Sequence, residues 1–449
     1  MVFAIRGDVE AQMSEIFHLT KEQMGYIWLP AFWGFTAAIF VSGALVDALG
    51  MRSLHALSAL GYILGLAIVL LAPPPSGPVH SVFSATGPLM LFGGFLIMGL
   101  SQGLVEGVIN PLIATLYRDE KTHKLNVLHA WWPGGMVIGG LIAFGLTQVD
   151  ASWQIKWAVL FVPAFAYLAM ALTQAYPRTE RVQSNVSDAE MFREALKPLF
   201  LLLFVCMLMT AATELGPDQW FPSVMSQLTG IEGILFLVYT AGMMFVLRFF
   251  AGPIAHKISP PGLLMVCSVF AAAGLYWLGS LEEGTSPAVA FAAATVFGIG
   301  KTYFWPTMLG VTSERYPRGG EFLLAVMGAT GMIAAGIAGP VMGRIYDYHT
   351  IQHLTPELRQ IVVVDSKFSP EKAKEVEDRA QQGDPTAAEQ TKVIKEALRQ
   401  GAAMAIRYVA ILPVILVVLF GLQFLYYKSK GGYRAIRLEG SGEGGGGSG

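Results

Sequence analysis

The chain has 449 residues, 54% of them hydrophobic and only 14% Asp, Glu, Lys or Arg, against roughly 25% charged in an ordinary soluble domain. Mean hydropathy is +0.53, and single cores stop growing near ~250–300 residues, so the apolar surplus must face a bilayer, while disorder is excluded for most of the chain. A formal net charge of −2 without a basic stripe gives nucleic acid nothing to hold.

Met1–Phe17 carries Arg6, Asp8, Glu10 and Glu15, too polar for a cleavable signal peptide or a complete span. Eleven apolar segments of spanning length follow, at 26–49, 53–72, 87–117, 125–148, 153–175, 196–223, 232–256, 262–280, 287–312, 321–346 and 402–427. They are continuous runs of helical length, unlike barrel strands, which alternate over ~10 residues. Two links are long and polar, 176–195 and 347–400. In the second, Ser369-Pro370 and Asp384-Pro385 each place a capping residue before a proline, which predicts two helix starts, the later one leading towards the last span. Residues 440–449, GSGEGGGGSG, have the composition of an artificial flexible linker and are set aside. Cys206 and Cys267 lie in apolar runs, and the histidines form no cluster, so neither a disulfide framework nor a metal site is expected.

Orientation follows from Lys and Arg in the links. The side holding the C-terminal tail carries Arg52, Arg118, Lys121, Lys124, Arg178, Arg181, Arg193, Lys257, Arg315 and Arg318, whereas the short opposite links carry only Lys21 and Lys156. This predicts a multi-pass inner (plasma) membrane protein with a cytoplasmic C-terminus.

Gly135-Met-Val-Ile-Gly-Gly140 recurs as Gly331-Met-Ile-Ala-Ala-Gly336, and Asn110-Pro111-Leu112 is echoed by Trp305-Pro306-Thr307, at offsets of 196 and 195. Two matches at nearly one offset argue for duplicated halves, an architecture of transporters with a midplane site. The second half has six spans and the first only five, so a first helix is expected at the N-terminus, truncated, its start lying upstream of Met1. The expected division is an N-terminal bundle over 1–175, a link over 176–195, a C-terminal bundle over 196–430 with an external insert at 347–400, and a tail over 431–449.

Gly43-Ala-Leu-Val-Asp47-Ala-Leu-Gly50-Met-Arg52 closes the span at 26–49, with small residues for close helix approach and a charge pair at the membrane edge. This resembles the G-x-x-x-D-x-x-G-x-R signature of the major facilitator superfamily, at its expected place after helix 2. The resemblance implies an all-α membrane fold of two six-helix bundles, and a latching role for Gly43, Asp47, Gly50 and Arg52. The counterpart Gly252-Pro-Ile-Ala-His256-Lys257 is degenerate. Further, Gly103-Leu-Val-Glu106-Gly-Val-Ile-Asn110-Pro111 and Leu125-Asn126-Val-Leu-His129 resemble helices 4 and 5 of the fucose and glucose proton-symporter branch. That likeness implies proton coupling at Glu106. Asp8 lies one residue from the branch's helix 1 acid, and Trp131-Trp132-Pro133 departs from the branch where a polar amide is expected.

Glu106 stands out without the resemblance. A carboxylate in a bilayer is costly and survives where it faces a cavity or a partner, a setting suited to reversible proton binding. Glu214 and Asp218 are four residues apart on one helix face, and Gly216-Pro217 is expected to open that helix. Lys301, Tyr303 and Trp305 form an aromatic-basic stretch able to stack on a sugar ring, and Arg248 is a further intramembrane cation. The expected substrate wall is Asn110, His129, Trp131, Glu214, Trp220, Lys301, Tyr303 and Trp305, with Glu106 and Asp8 for the proton and sodium as the alternative coupling ion. Glycines 135, 139, 140, 331, 336 and 339 are expected to be helix-packing surfaces. No phosphate-binding loop supports ATP drive, and no acid pair with a histidine supports an enzyme. The reading is a monomeric secondary transporter, without cofactor, symporting a sugar or similar small polar solute with protons. Drug efflux and transport of an organic anion held by Lys301 and Arg248 are the alternatives.

Overall fold

The structure is a computed structural model describing residues 1–438 except 20, 78, 80, 232, 283, 365 and 366, and without the side chains of 7, 11, 21, 22, 219, 220, 222–224, 227, 234, 367 and 371. In the first half α1 (Val2–Ile16) is followed by α2 (Lys21–Leu49), α3 (Met51–Leu70), α4 (Thr86–Leu116), α5 (Lys121–Thr147) and a sixth span in two pieces, α6 (Trp153–Ala158) and α7 (Phe161–Thr173). Two short helices, α8 (Glu180–Gln183) and α9 (Asp188–Glu194), form the link. The second half holds α10 (Pro198–Thr229), α11 (Gly233–Arg248), α12 (Ala251–Ile258), α13 (Pro260–Leu278), α14 (Pro287–Lys301), α15 (Phe304–Arg315) and α16 (Gly320–His353). The insert adds α17 (Pro356–Val362), a hairpin of β1 (Val363–Val364) and β2 (Lys367–Phe368), and α18 (Pro370–Gln381), before α19 (Pro385–Val409) and α20 (Ile411–Ser429). Among the described residues ten helical stretches are long and apolar enough to cross a membrane, or eleven when α11 and α12, bent by 67°, count as one.

Within the first half α4 is the central strut, packing on α2 and α3; in the second, α13 packs on α14 and α20, and α16 on α10 and α19. The halves meet along two seams, α2 against α16 and α5 against α11 and α15. The insert extends its neighbours: α16 runs to His353, past the predicted end at 346, and α19 and α20 carry one helical stretch from Pro385 to Ser429. The two predicted starts are present, with Ser369 Oγ accepting the Lys372 amide at 3.3 Å and Asp384 Oδ1 accepting the Thr386 amide at 2.9 Å.

The predicted opening at Gly216-Pro217 does not occur: α10 continues through it, with Gly216 seated on Ala338 and Met342 of α16. A membrane helix tolerates one missing bond where neighbours hold it. The break lies instead between α14 and α15. Pro306 has no N–H to offer the Thr302 carbonyl four residues earlier, so that carbonyl is freed. Of the expected packing glycines, Gly139 lies against Met1 and Gly331 against the Trp305 ring, but a Cβ on Gly336 would meet open space.

The insert owns a small core of Leu354, Leu358, Val362, Val376, Ala387, Ile394 and Ala397. Replacing Leu358 by Asp should remove about 1.5–3 kcal/mol of apolar burial. Limited proteolysis is expected to cut the variant faster within 354–398 while the spans stay protected; an unchanged cleavage rate would show that this core does not hold the insert.

Candidate functional site

In the C-terminal half of α4, Glu106 and Asn110 lie one turn apart, which puts them on one face. Asn110 Nδ2 donates to Glu106 Oε1 at 3.2 Å, and Asn110 Oδ1 pairs with His129 Nε2 of α5 at 2.9 Å. His129 Nε2 also stands 3.7 Å from Glu106 Oε1. All three are buried. The sequence motif therefore folds into one connected polar triad of the first half.

Arg248, at the end of α11, joins this triad to the second half. Its Nη1 donates to the His129 carbonyl at 2.7 Å, its Nε to the freed Thr302 carbonyl at 2.7 Å, and its Nη2 to Glu214 Oε1 at 3.1 Å. Lys301 ion-pairs with Asp218 and lies over the rings of Phe221 and Phe297. Tyr303, in the break, donates to the Leu247 carbonyl at 2.7 Å. Trp305 packs on Gly331. Lys301 and Trp305 thus bond within their own half, and it is Arg248 that reaches the triad. The side chain of Trp220 lies outside the described residues. Trp131 is exposed, its ring 5.5 Å from Phe245 of α11.

Asp8 is elsewhere. It pairs with Lys156 at 2.6 Å and accepts from Thr147 at 3.1 Å, at the insert-side end of α5, and does not join Glu106.

The signature motif sits at the opposite end. Gly50 has φ +79°, which lets α2 turn directly into α3. A Cβ on Gly43 would stand 2.1 Å from that of Ala325 in α16, so the seam needs glycine there. Asp47 and Arg52 do not pair with each other. Asp47 accepts from Thr179 at 2.6 Å and pairs with Arg181 of the link, while Arg52 donates to the Leu172 carbonyl. Arg181 also stands 3.8 Å from Glu321 at the start of α16. Burial alone would lower the Arg181 pKa, but Asp47 and Glu321 hold it above the ordinary value. The link arginine thereby ties an acid of each half. Nothing in the local pattern of the motif reveals Arg181 or Glu321; only their charge near the predicted link could have drawn notice.

Contacts between the halves follow α5 upward from the link face. Lys121 donates to Ser313 O at 3.4 Å, Thr122 Oγ1 to Glu314 at 2.7 Å, Asn126 to Thr307 at 3.2 Å, and then comes the His129 carbonyl. Beyond Gly134, which meets Phe245, the partners of α5 among the described residues belong to its own half, as Thr147 does with Asp8 and Lys156. Among the described residues the seam is closed at the link face and parts towards the insert face.

A family model, Major Facilitator Superfamily, matches residues 3–350. A Bacillus subtilis protein named as a niacin/nicotinamide transporter, NiaP, is 22% identical over 343 residues, 72% of this chain and 79% of its own. Among solved structures, the Escherichia coli fucose:proton symporter FucP aligns with a TM-score of 0.61 at 13% identity, over 92% of this chain and 96% of its own. The proton:xylose symporter XylE aligns at 0.65 and 14%, over 93% and 91%. At these identities the structures share the fold.

Removing one partner of a buried pair is destabilising by about 3–5 kcal/mol. Arg181→Gln should therefore loosen the link-face seam. Maleimide labelling of a cysteine placed at Ser313 is expected to accelerate at least about tenfold, which about 1.4 kcal/mol suffices to give; equal labelling rates would remove Arg181 from the latch.

Proposed function

The chain belongs to the Major Facilitator Superfamily, and from that premise we propose that it is a proton-coupled symporter of a small polar solute, working by alternating access, with Glu106 as the group that takes the proton. One observation carries this reading. Glu214, Asp218 and Asp8 each hold a fixed cation, whereas Glu106 has only Asn110 and His129 as polar partners among the described residues. A buried acid without a Lys or Arg can gain and lose a proton without breaking an ion pair. The same pairing speaks against sodium, since the acids that would ligate it already neutralise Arg248 and Lys301.

Positive residues in the links make the link face cytoplasmic, within the plasma membrane. The geometry is then that of a carrier sealed towards the cytoplasm and open outward. Inward opening must part Arg181 from one of its acids, Glu314 from Thr122, and Arg248 from the His129 carbonyl. Protonation of Glu106 changes the hydrogen bonds available to Asn110 and His129, and hence to the helix turn that Arg248 grips. FucP and XylE lend support for proton coupling of sugars through their fold. The aromatic residues expected for a sugar are otherwise engaged, Trp305 on Gly331 and Tyr303 on a backbone carbonyl.

Glu106→Gln mimics the protonated acid permanently. In proteoliposomes it should abolish pH-driven accumulation, by at least about tenfold, yet spare solute exchange, which needs no net proton movement. Accumulation that persists under a pH gradient would assign Glu106 a structural role.

A further inference from the structure

Helix α1 carries a cation, Arg6, that the internal pairing leaves over. On α1, Ile5, Val9 and Met13 are fully buried in a cluster with Trp153 and Trp157 of α6. Helical spacing puts Phe3, Arg6 and Glu10 along the flank of that buried face, about a quarter turn round α1. The Phe3 ring lies 5.9 Å from Phe32 of α2 and 6.2 Å from Trp132 of α5. These are the two helices that meet the second half along the seams, so this stripe looks out between them into the open part of the cleft. Met1 lies against Gly139 of α5, which sets α1 at membrane depth.

The Arg6 guanidinium stands over three rings, 5.0 Å from Phe3, 5.3 Å from Trp28 and 5.6 Å from Phe32. Among the described residues it makes no hydrogen bond or ion pair, in contrast to Arg248, Lys301 and Lys156. Glu10, one turn away, does not come within ion-pair distance. A cation in a bilayer needs an anion or water, and a guanidinium presents a planar fork that fits a carboxylate. Phe3 is 41% and Trp132 37% exposed, leaving aromatic faces free beside that fork.

We propose that Arg6, Phe3, Phe32 and Trp132 form the substrate subsite of the outward cleft, and that it takes a planar organic anion, a carboxylate borne on an aromatic or heteroaromatic ring. The carboxylate sits on Arg6 and the ring lies against the aromatic side chains. This rests on the transport reading above and names its substrate class; an anion moving with a proton is carried without net charge.

Benzoate and its neutral analogue benzamide test it by calorimetry on the purified full chain, without any gradient. Benzoate should bind at least about tenfold more tightly than benzamide. Arg6→Gln should erase that preference while leaving weak benzamide binding unchanged, and Arg6→Lys should restore part of it. Equal binding of the two probes by the unaltered protein, which needs no variant to fold, would overturn the proposal, as would a preference that survives Arg6→Gln. Proton-driven benzoate uptake in proteoliposomes is read separately. Arg6-dependent binding without proton-driven uptake keeps the subsite and removes the coupling; Glu106-dependent uptake of another solute without benzoate binding does the reverse.

Discussion

One buried guanidinium organises the centre of this molecule. Arg248 is 2% exposed, and a cation so placed must have its charge and its donors satisfied at once. The protein supplies an acid, Glu214, and two backbone carbonyls. One carbonyl, Thr302, is available because Pro306 interrupts the helix ladder. The other, His129, belongs to the opposite half. A local rule about proline thus becomes a long-range tie, since the arginine that caps the break also grips α5, the helix that brings His129 to the polar triad.

The remaining cross-half contacts are arranged below that tie as a graded seal. Asn126 with Thr307, Thr122 with Glu314 and the Asp47–Arg181–Glu321 cluster lie progressively nearer the link face. Glu314 is shared further, accepting from Tyr433 of the C-terminal tail at 2.7 Å. Each contact pairs a short polar group or charge with a partner across a glycine-lined seam. Such contacts can be exchanged as units, which is what a two-state carrier requires.

Much of the fold could be read from the sequence because its causes are local. Spanning length marks the helices, Ser369-Pro370 and Asp384-Pro385 mark starts, and the spacing of Gly43, Asp47 and Gly50 marks the seam and its turn. The site was legible only in part. Glu106, Asn110 and His129 lie in two short motifs and meet as their spacing suggests. Arg181 is over 130 residues from Asp47, and no periodicity announces such a pair. Both Pro217 and Pro306 remove an amide, and which of them breaks its helix depends on tertiary neighbours: α16 supports Gly216, whereas Arg248 rewards the freed Thr302 carbonyl. Lys301 looked available for substrate because its acid, Asp218, lies on another helix.

The central claim is that Arg248 holds the halves together beside the polar triad. Electron–electron distance measurements between spin labels on Asp119→Cys, beside α5, and Lys257→Cys, on α12, test it most directly. In the otherwise unaltered protein the link-face distances should be short, and Arg248→Gln should transfer a substantial share of molecules to a longer distance. Identical distributions in a folded Arg248→Gln protein would contradict the account.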